Sequence, residues 1–131
     1  MSRVNEPGLV LHLYPAELLR FGASHTSVAD DAVTAEHFFL CLFTDAREGL
    51  WTPMHVTRGL DRLPIPEKAK SGHARWTRGP SYYSPADLWR IPHKAIQRTQ
   101  PPAGNRSGTH APNRVAAQWL PARSDFPPTP A

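Results

Sequence analysis

The sequence predicts a small α+β domain, mainly β, in which a few strands curl into a barrel-like sheet with short helices, followed by a disordered tail. Three observations carry that prediction. Apolar residues gather in runs of strand length, residues 9–14 (LVLHLY), 37–43 (HFFLCLF) and 50–56 (LWTPMHV), each bounded by turn-forming residues. Proline supplies 15 of the 131 residues and crowds the second half, which bars long helices and central strands there. The last third is rich in Pro and poor in apolar side chains, so burial there does not offset the entropy of ordering. The expected organisation is a flexible N-terminus over residues 1–6, a single mixed domain over residues 7–98, and a Pro-rich basic disordered tail over residues 99–131.

Each element has a local reason. Residues 9–14 suit a strand of about six residues between Pro7-Gly8 and Pro15. Pro15 then opens a short helix, with Glu17 near its positive end and Gly22 as its stop. Residues 23–35 are small and polar and read as a loop with at most a helical turn. Residues 37–43 show no alternation, so the run is buried all round and periodicity does not separate strand from helix. Thr34 followed by Glu36 has the form of a helix start, whereas the brevity of the run and the turn-like TDAREG after it favour a two-stranded hairpin ending near Val56. The hairpin is the preferred expectation. Pro64 and Pro66 make residues 63–65 an edge strand or a loop. Gly72, Gly79-Pro80 and Ser84-Pro85 divide residues 71–98 into short elements. Ser84 there caps a helical turn with Asp87 three residues on, and residues 93–98 form a last amphipathic turn after Pro92. In the tail only Val115, Trp119, Leu120 and Phe126 are apolar and larger than alanine or proline.

Charge divides the chain more sharply than its net +4 indicates. Residues 1–54 carry three Arg against seven acids, which gives −4, and residues 55–98 carry nine Lys and Arg against three acids, which gives +6. That asymmetry points to an anionic partner for the basic half, or to halves that attract each other. The single Cys excludes an internal disulfide framework and suits a reducing compartment. The first apolar run is too short for a signal segment or a membrane span, so a soluble cytoplasmic protein with no membrane partner is expected.

Signatures of known chemistry are sparse. Seven His at positions 12, 25, 37, 55, 73, 93 and 110 never pair as zinc ligands usually do, and no metal or cofactor is expected. Cys41 lies within the most apolar run and reads as a small core residue. The densest stretch is residues 71–98, where Trp76, Tyr82, Tyr83 and Trp89 alternate with Arg75, Arg78, Arg90, Lys94 and Arg98. Such interleaving lets rings stack on bases while cations neutralise phosphates, or it closes a small core beneath a basic surface. Packing is the commoner fate of the rings, so the arginines are the better evidence for a partner. Candidate nucleic-acid-binding residues are Arg75, Arg78, Arg90, Lys94, Trp76 and Tyr82. RNA cleavage without a metal needs a base for the 2′-hydroxyl, an acid for the leaving oxygen and a cation over the phosphorane. His73, Arg75, Ser81 and Tyr83 are the candidate catalytic set, with Arg78, Tyr82 and His55 or His93 nearby in sequence.

Two families are similar in part. The order of the apolar strand at residues 37–43, a turn, a second strand ending near Val56, a basic loop and a short helix after residues 88–91 resembles the SH3-like barrel of the mRNA interferase toxins of toxin-antitoxin modules. The likeness covers about residues 37–98 and implies a ribonuclease. The family's opening glycine-containing segment and its Arg-Pro are missing here, so its catalytic residues have no counterparts among named positions. Separately, residues 34–43 (TAEHFFLCLF) are similar to the T-x-E-H-L-L-L-x-L-L signature of the amino-terminal repeat of Clp chaperones, which implies a helix at that place.

The expected function is binding of an anionic partner, nucleic acid foremost, through residues 55–98. A metal-independent ribonuclease toxin is the catalytic alternative. A protein interaction module or small inhibitor that uses the acidic half or the Trp119 region is another. An open reading frame without selected function is the last, and cooperative unfolding would count against it. Oligomeric state is not legible from the sequence.

Overall fold

A computed structural model describes residues 5–27, 33–99 and 112–130. The first four residues of the expected flexible N-terminus, residues 28–32 of the expected loop and residues 100–111 of the expected tail lie outside that description. The described residues form an α+β arrangement of nine strands in one antiparallel sheet, with three α-helices of four to six residues. No helix among the described residues is long and apolar enough to cross a membrane.

β1 (Leu9–Leu13) runs into α1 (Pro15–Arg20), as Pro15 leads one to expect. The helix stops at Gly22, whose φ of +106° lets its N–H reach the Leu19 carbonyl while the Ala23 N–H reaches that of Leu18. β2 (Ser24–His25) follows. The central hairpin is β3 (His37–Thr44) and β4 (Glu48–His55), turned by Asp45, whose Oδ1 accepts the N–H groups of Arg47 at 2.8 Å and Glu48 at 2.9 Å. The strand expectation for residues 37–43 therefore holds, and the helix implied by the Clp likeness does not form. Both flanks of β3 are taken by ladders, to β1 and to β4, which supply its backbone bonds without a helix. The register slips between Cys41 and Phe43.

The rest of the sheet is arranged around β4. Its first half, Glu48–Trp51, pairs with β8 (Trp89–Pro92), and its end, Met54 and His55, pairs with β7 (Ser81–Tyr83). Pro53 falls in the gap between those ladders, where a residue without an N–H leaves no bond unmade on that side. Thr52 uses the same gap to donate its hydroxyl to the Asp87 carbonyl at 2.9 Å. β5 (Leu63–Ile65) pairs only with β7, so the Pro64 segment is an edge strand. After β6 (Lys70–Ser71) come α2 (Ala74–Thr77), β7, β8 and α3 (His93–Arg98). Ser84 caps a turn rather than a helix.

The expected disordered tail needs correction over its described part. β9 (Asn113–Val115) pairs with β1 on one side and β6 on the other, and Val115 and Phe126 are buried. The domain therefore does not end at residue 98. Asn5 and Glu6, placed in the expected flexible N-terminus, are also tied in: the Asn5 amide meets His93 Nδ1 at 2.9 Å, and Glu6 pairs with Arg114. The sheet order is β2-β8-β4-β3-β1-β9-β6, with no described pairing between its two ends, so it is open.

Both faces of the sheet are covered. Leu9, Leu13, Phe39, Cys41, Trp51, Trp89 and Ile91 meet Leu18 of α1 with Ala95 and Ile96 of α3. Val10, Leu40, Leu42 and Met54 on the opposite face meet Trp76 of α2, Ala69, Tyr83, Val115 and Phe126. Successive residues of β1 and β3 thus enter different cores, which is why the sequence shows no alternation there.

Phe126→Ala should lower unfolding free energy by about 3 kcal/mol in a denaturant titration. Deleting residues 112–131 should abolish the cooperative transition, because β9 and its two buried apolar groups go with it. An unchanged melting temperature would return these residues to the status of a tail.

Candidate functional site

The segment from β6 through β7 holds most of the predicted site residues, and it is organised around a lysine. Lys70 Nζ donates to the Trp76 carbonyl at 2.8 Å, the Gly79 carbonyl at 2.9 Å and Ser81 Oγ at 2.6 Å. The ammonium also lies 4.1 Å from the centre of the Trp76 ring. Three donors thus have three acceptors, and the cation has an aromatic face beside it. Burial still pulls the Lys70 pKa down to about 8, partly countered by Glu67.

α2 is fixed at further points. His73 caps it, with Nδ1 accepting the Arg75 N–H at 3.0 Å, and the His73 N–H donates to Asn113 Oδ1 at 2.7 Å. Gly72 has a φ of +121°, and a Cβ there would stand 2.6 Å from the Asn113 Cα, so the close approach to β9 requires glycine. The Trp76 indole N–H donates to the Arg114 carbonyl at 3.2 Å, and its ring is only 1% exposed. Trp76 is therefore an anchor of the second core and offers no face for a base to stack on. Tyr83 is also buried, tilted against Phe126 at 5.8 Å, and burial with Asp125 nearby raises its pKa so that the phenol keeps its proton. Tyr82 points to the other side of β7 and is half-buried.

The structure brings His73, Arg75, Trp76, Arg78 and Ser81 together on or beside the Lys70 cluster. Arg75 and Arg78 stand exposed on and just after α2, while Ser81 is 7% exposed. Arg90 and Lys94 do not join them: Arg90 lies 3.9 Å from Glu48, and Lys94 is on α3, which covers the opposite face of the sheet. His73 Nδ1 is engaged in its cap, so the base expected there for RNA cleavage is occupied at that nitrogen. Lys70 itself was legible only as part of a charged connector. Two of its partners are backbone carbonyls six and nine residues ahead, which any residue type supplies, and no motif marks them.

Two other polar groupings are structural in form. Asp87 is buried and accepts from Ser27; burial, the largest influence on it, raises its pKa. Thr26 beside it donates to the Ala86 carbonyl at 2.6 Å and accepts the Leu88 N–H at 2.9 Å, which ties β2 to the turn before β8. His37 and His55 meet edge to face at 5.1 Å. Burial, then Arg62 and His37, pull the His55 pKa down to about 4. Among the described residues no three His, Cys, Asp or Glu side chains gather as metal ligands. The Cys41 thiol is pushed up to about 12 by burial and Glu6, which leaves it a protonated core group.

No protein-family model, curated protein or solved structure matches the chain. The site must be judged on its own chemistry.

Two pH effects follow from these shifts. For His55 the folded pKa is below the ordinary value, so the folded state resists protonation, and its stabilising contribution is full above about 6.5 and lost as pH falls towards 4. His55→Gln should therefore lose less melting temperature than the wild type between those values. For Lys70 the unfolded chain binds the proton more tightly, so this group makes stability rise from about pH 8 to 10.5. In Lys70→Met that rise should vanish, read as the difference between the two melting profiles. A parallel pair of curves would mean that Lys70 titrates normally in the fold.

Proposed function

We propose that the protein binds nucleic acid by its phosphates, through Arg75 and Arg78 on the exposed side of α2. The observation that supports this most directly is the division of labour between α2 and its C-terminal cap. Trp76 is turned inward and hydrogen-bonded, while the arginines flanking it are exposed in a half-chain carrying +6. Arg78, Arg58 and Lys94 make no ion pair among the described residues, so their charge is available to a polyanion. Contacts of this kind position a strand without reading its bases, since Trp76, Tyr83 and Trp89 are engaged in the two cores. Of the six candidate binding residues, Arg75 and Arg78 carry this reading, Lys94 adds charge at a distance, and Arg90 is partly offset by Glu48.

A barrel-like curl accompanies the same reading. Lys70 on β6, at one end of the sheet path, reaches Ser81 on β7, which pairs off that path with β4 and β5. That approach is what supports an SH3-like form. A cytoplasmic location is supported by the single free thiol.

Affinity for a labelled single-stranded RNA and for duplex DNA, measured by anisotropy from about 50 to 200 mM salt, should fall steeply and linearly on logarithmic axes. Arg75→Ala and Arg78→Ala should each reduce the slope by about one. Tyr82→Phe should leave it unchanged. Absent binding at the lowest salt, or affinity indifferent to salt, would overturn the proposal. Capture of a protein that survives nuclease treatment would replace it with the interaction-module alternative.

A further inference from the structure

The Lys70 cluster contains an asymmetry that phosphate binding does not use. Of the three acceptors around Nζ, the Trp76 and Gly79 oxygens are carbonyls, which only accept. Ser81 is a hydroxyl and can also donate. When Lys70 loses a proton, its two remaining N–H groups are retained by the carbonyls, and the lone pair has one partner able to give it a hydrogen. That partner is the Ser81 hydroxyl at 2.6 Å. The carbonyls belong to Trp76, which is packed in the core, and to Gly79 three residues later, so the amine cannot turn away without breaking two bonds. This is the arrangement in which an amine serves as general base to a serine nucleophile.

We propose that Ser81, with Lys70 as its base, is an acyl-acceptor site for small activated acyl esters. Neutral Lys70 takes the proton of the Ser81 hydroxyl as Oγ attacks the carbonyl carbon, forming the new C–O bond. The bond from that carbon to the leaving oxygen then breaks, and the leaving group departs with the electron pair and receives the proton from Lys70. The products are an ester on Ser81, a free alcohol and a neutral amine, with no oxidant or metal required. The lowered pKa of Lys70, about 8, means that the neutral amine is present near physiological pH. The site is independent of the phosphate-binding proposal, because it needs neither Arg75 nor Arg78.

The test uses the full chain with p-nitrophenyl acetate, followed by intact mass and peptide mapping. Acetyl should appear on Ser81, about a hundredfold faster than in Lys70→Arg, which keeps a charge and donors but cannot serve as a base at these pH values. The wild-type rate at Ser81 should rise with pH to a plateau, with its midpoint near 8. Ser81→Ala should lose the modification at that peptide alone. Acetyl on Lys70 in place of Ser81, labelling of Ser81 no faster than in Lys70→Arg, or no labelling of wild-type Ser81 would each overturn the proposal. The wild-type pH profile is decisive even if a variant fails to fold. Salt-dependent binding of RNA is unaffected by any of these outcomes.

Discussion

A strand that is apolar on both faces cannot present either to water, and β3 is such a strand. Phe39 and Cys41 enter one core while Leu40 and Leu42 enter the other, and β1 behaves in the same way through Leu9, Leu13 and Val10. Two covers are therefore obligatory. α1 and α3 make the first with Leu18, Ala95 and Ile96. The second is assembled from scraps: a helix of four residues, a 3-10 turn with Ala69, the strand β9 and Phe126. The need to close that second face recruits the Pro-rich C-terminal segment and fixes where α2 lies. The placement of the candidate site on α2 is thus a by-product of a packing requirement.

How much of this was legible follows from the range of the interactions. Elements set by local chemistry were readable: Pro15 opening α1, Gly22 ending it, the Asp45 turn, and Pro64 confined to an edge. Burial of residues 37–43 was readable too, because a run without alternation leaves no polar face. Position in the sheet was not. β9 has three residues, Asn113–Val115, within a composition that by itself argues for disorder, and its order comes from ladders to β1 and β6 more than 40 residues away. Around α2, Arg75 and Arg78 stood out by charge and by their place among aromatic residues, and packing, the commoner fate of such rings, holds for Trp76. Arg90 and Lys94 were grouped with them by sequence proximity, which the sheet does not respect. Lys70 escaped because its partners are main-chain oxygens.

Within the α2 region the polar and apolar constraints support each other. Trp76 fills the core beneath the helix, its indole N–H and carbonyl are both used, and its ring faces the Lys70 ammonium. A four-residue helix has little stability of its own. Here it is held by His73 at its start, by Lys70 at its end and by Gly72 against Asn113. The backbone beneath the exposed Arg75 and Arg78 is thus already ordered, which leaves only side-chain freedom to be lost against the proposed partner.

The position of β9 has a consequence for biosynthesis. β1 leaves the ribosome before the other strands of this sheet, and the strand that completes its second side lies more than 100 residues later in the chain. Until then β1 keeps an open edge and the second core lacks Val115 and Phe126. Over that interval a nascent chain carries an open strand edge and a partly uncovered apolar face, a state that invites holdase chaperones and edge-to-edge association.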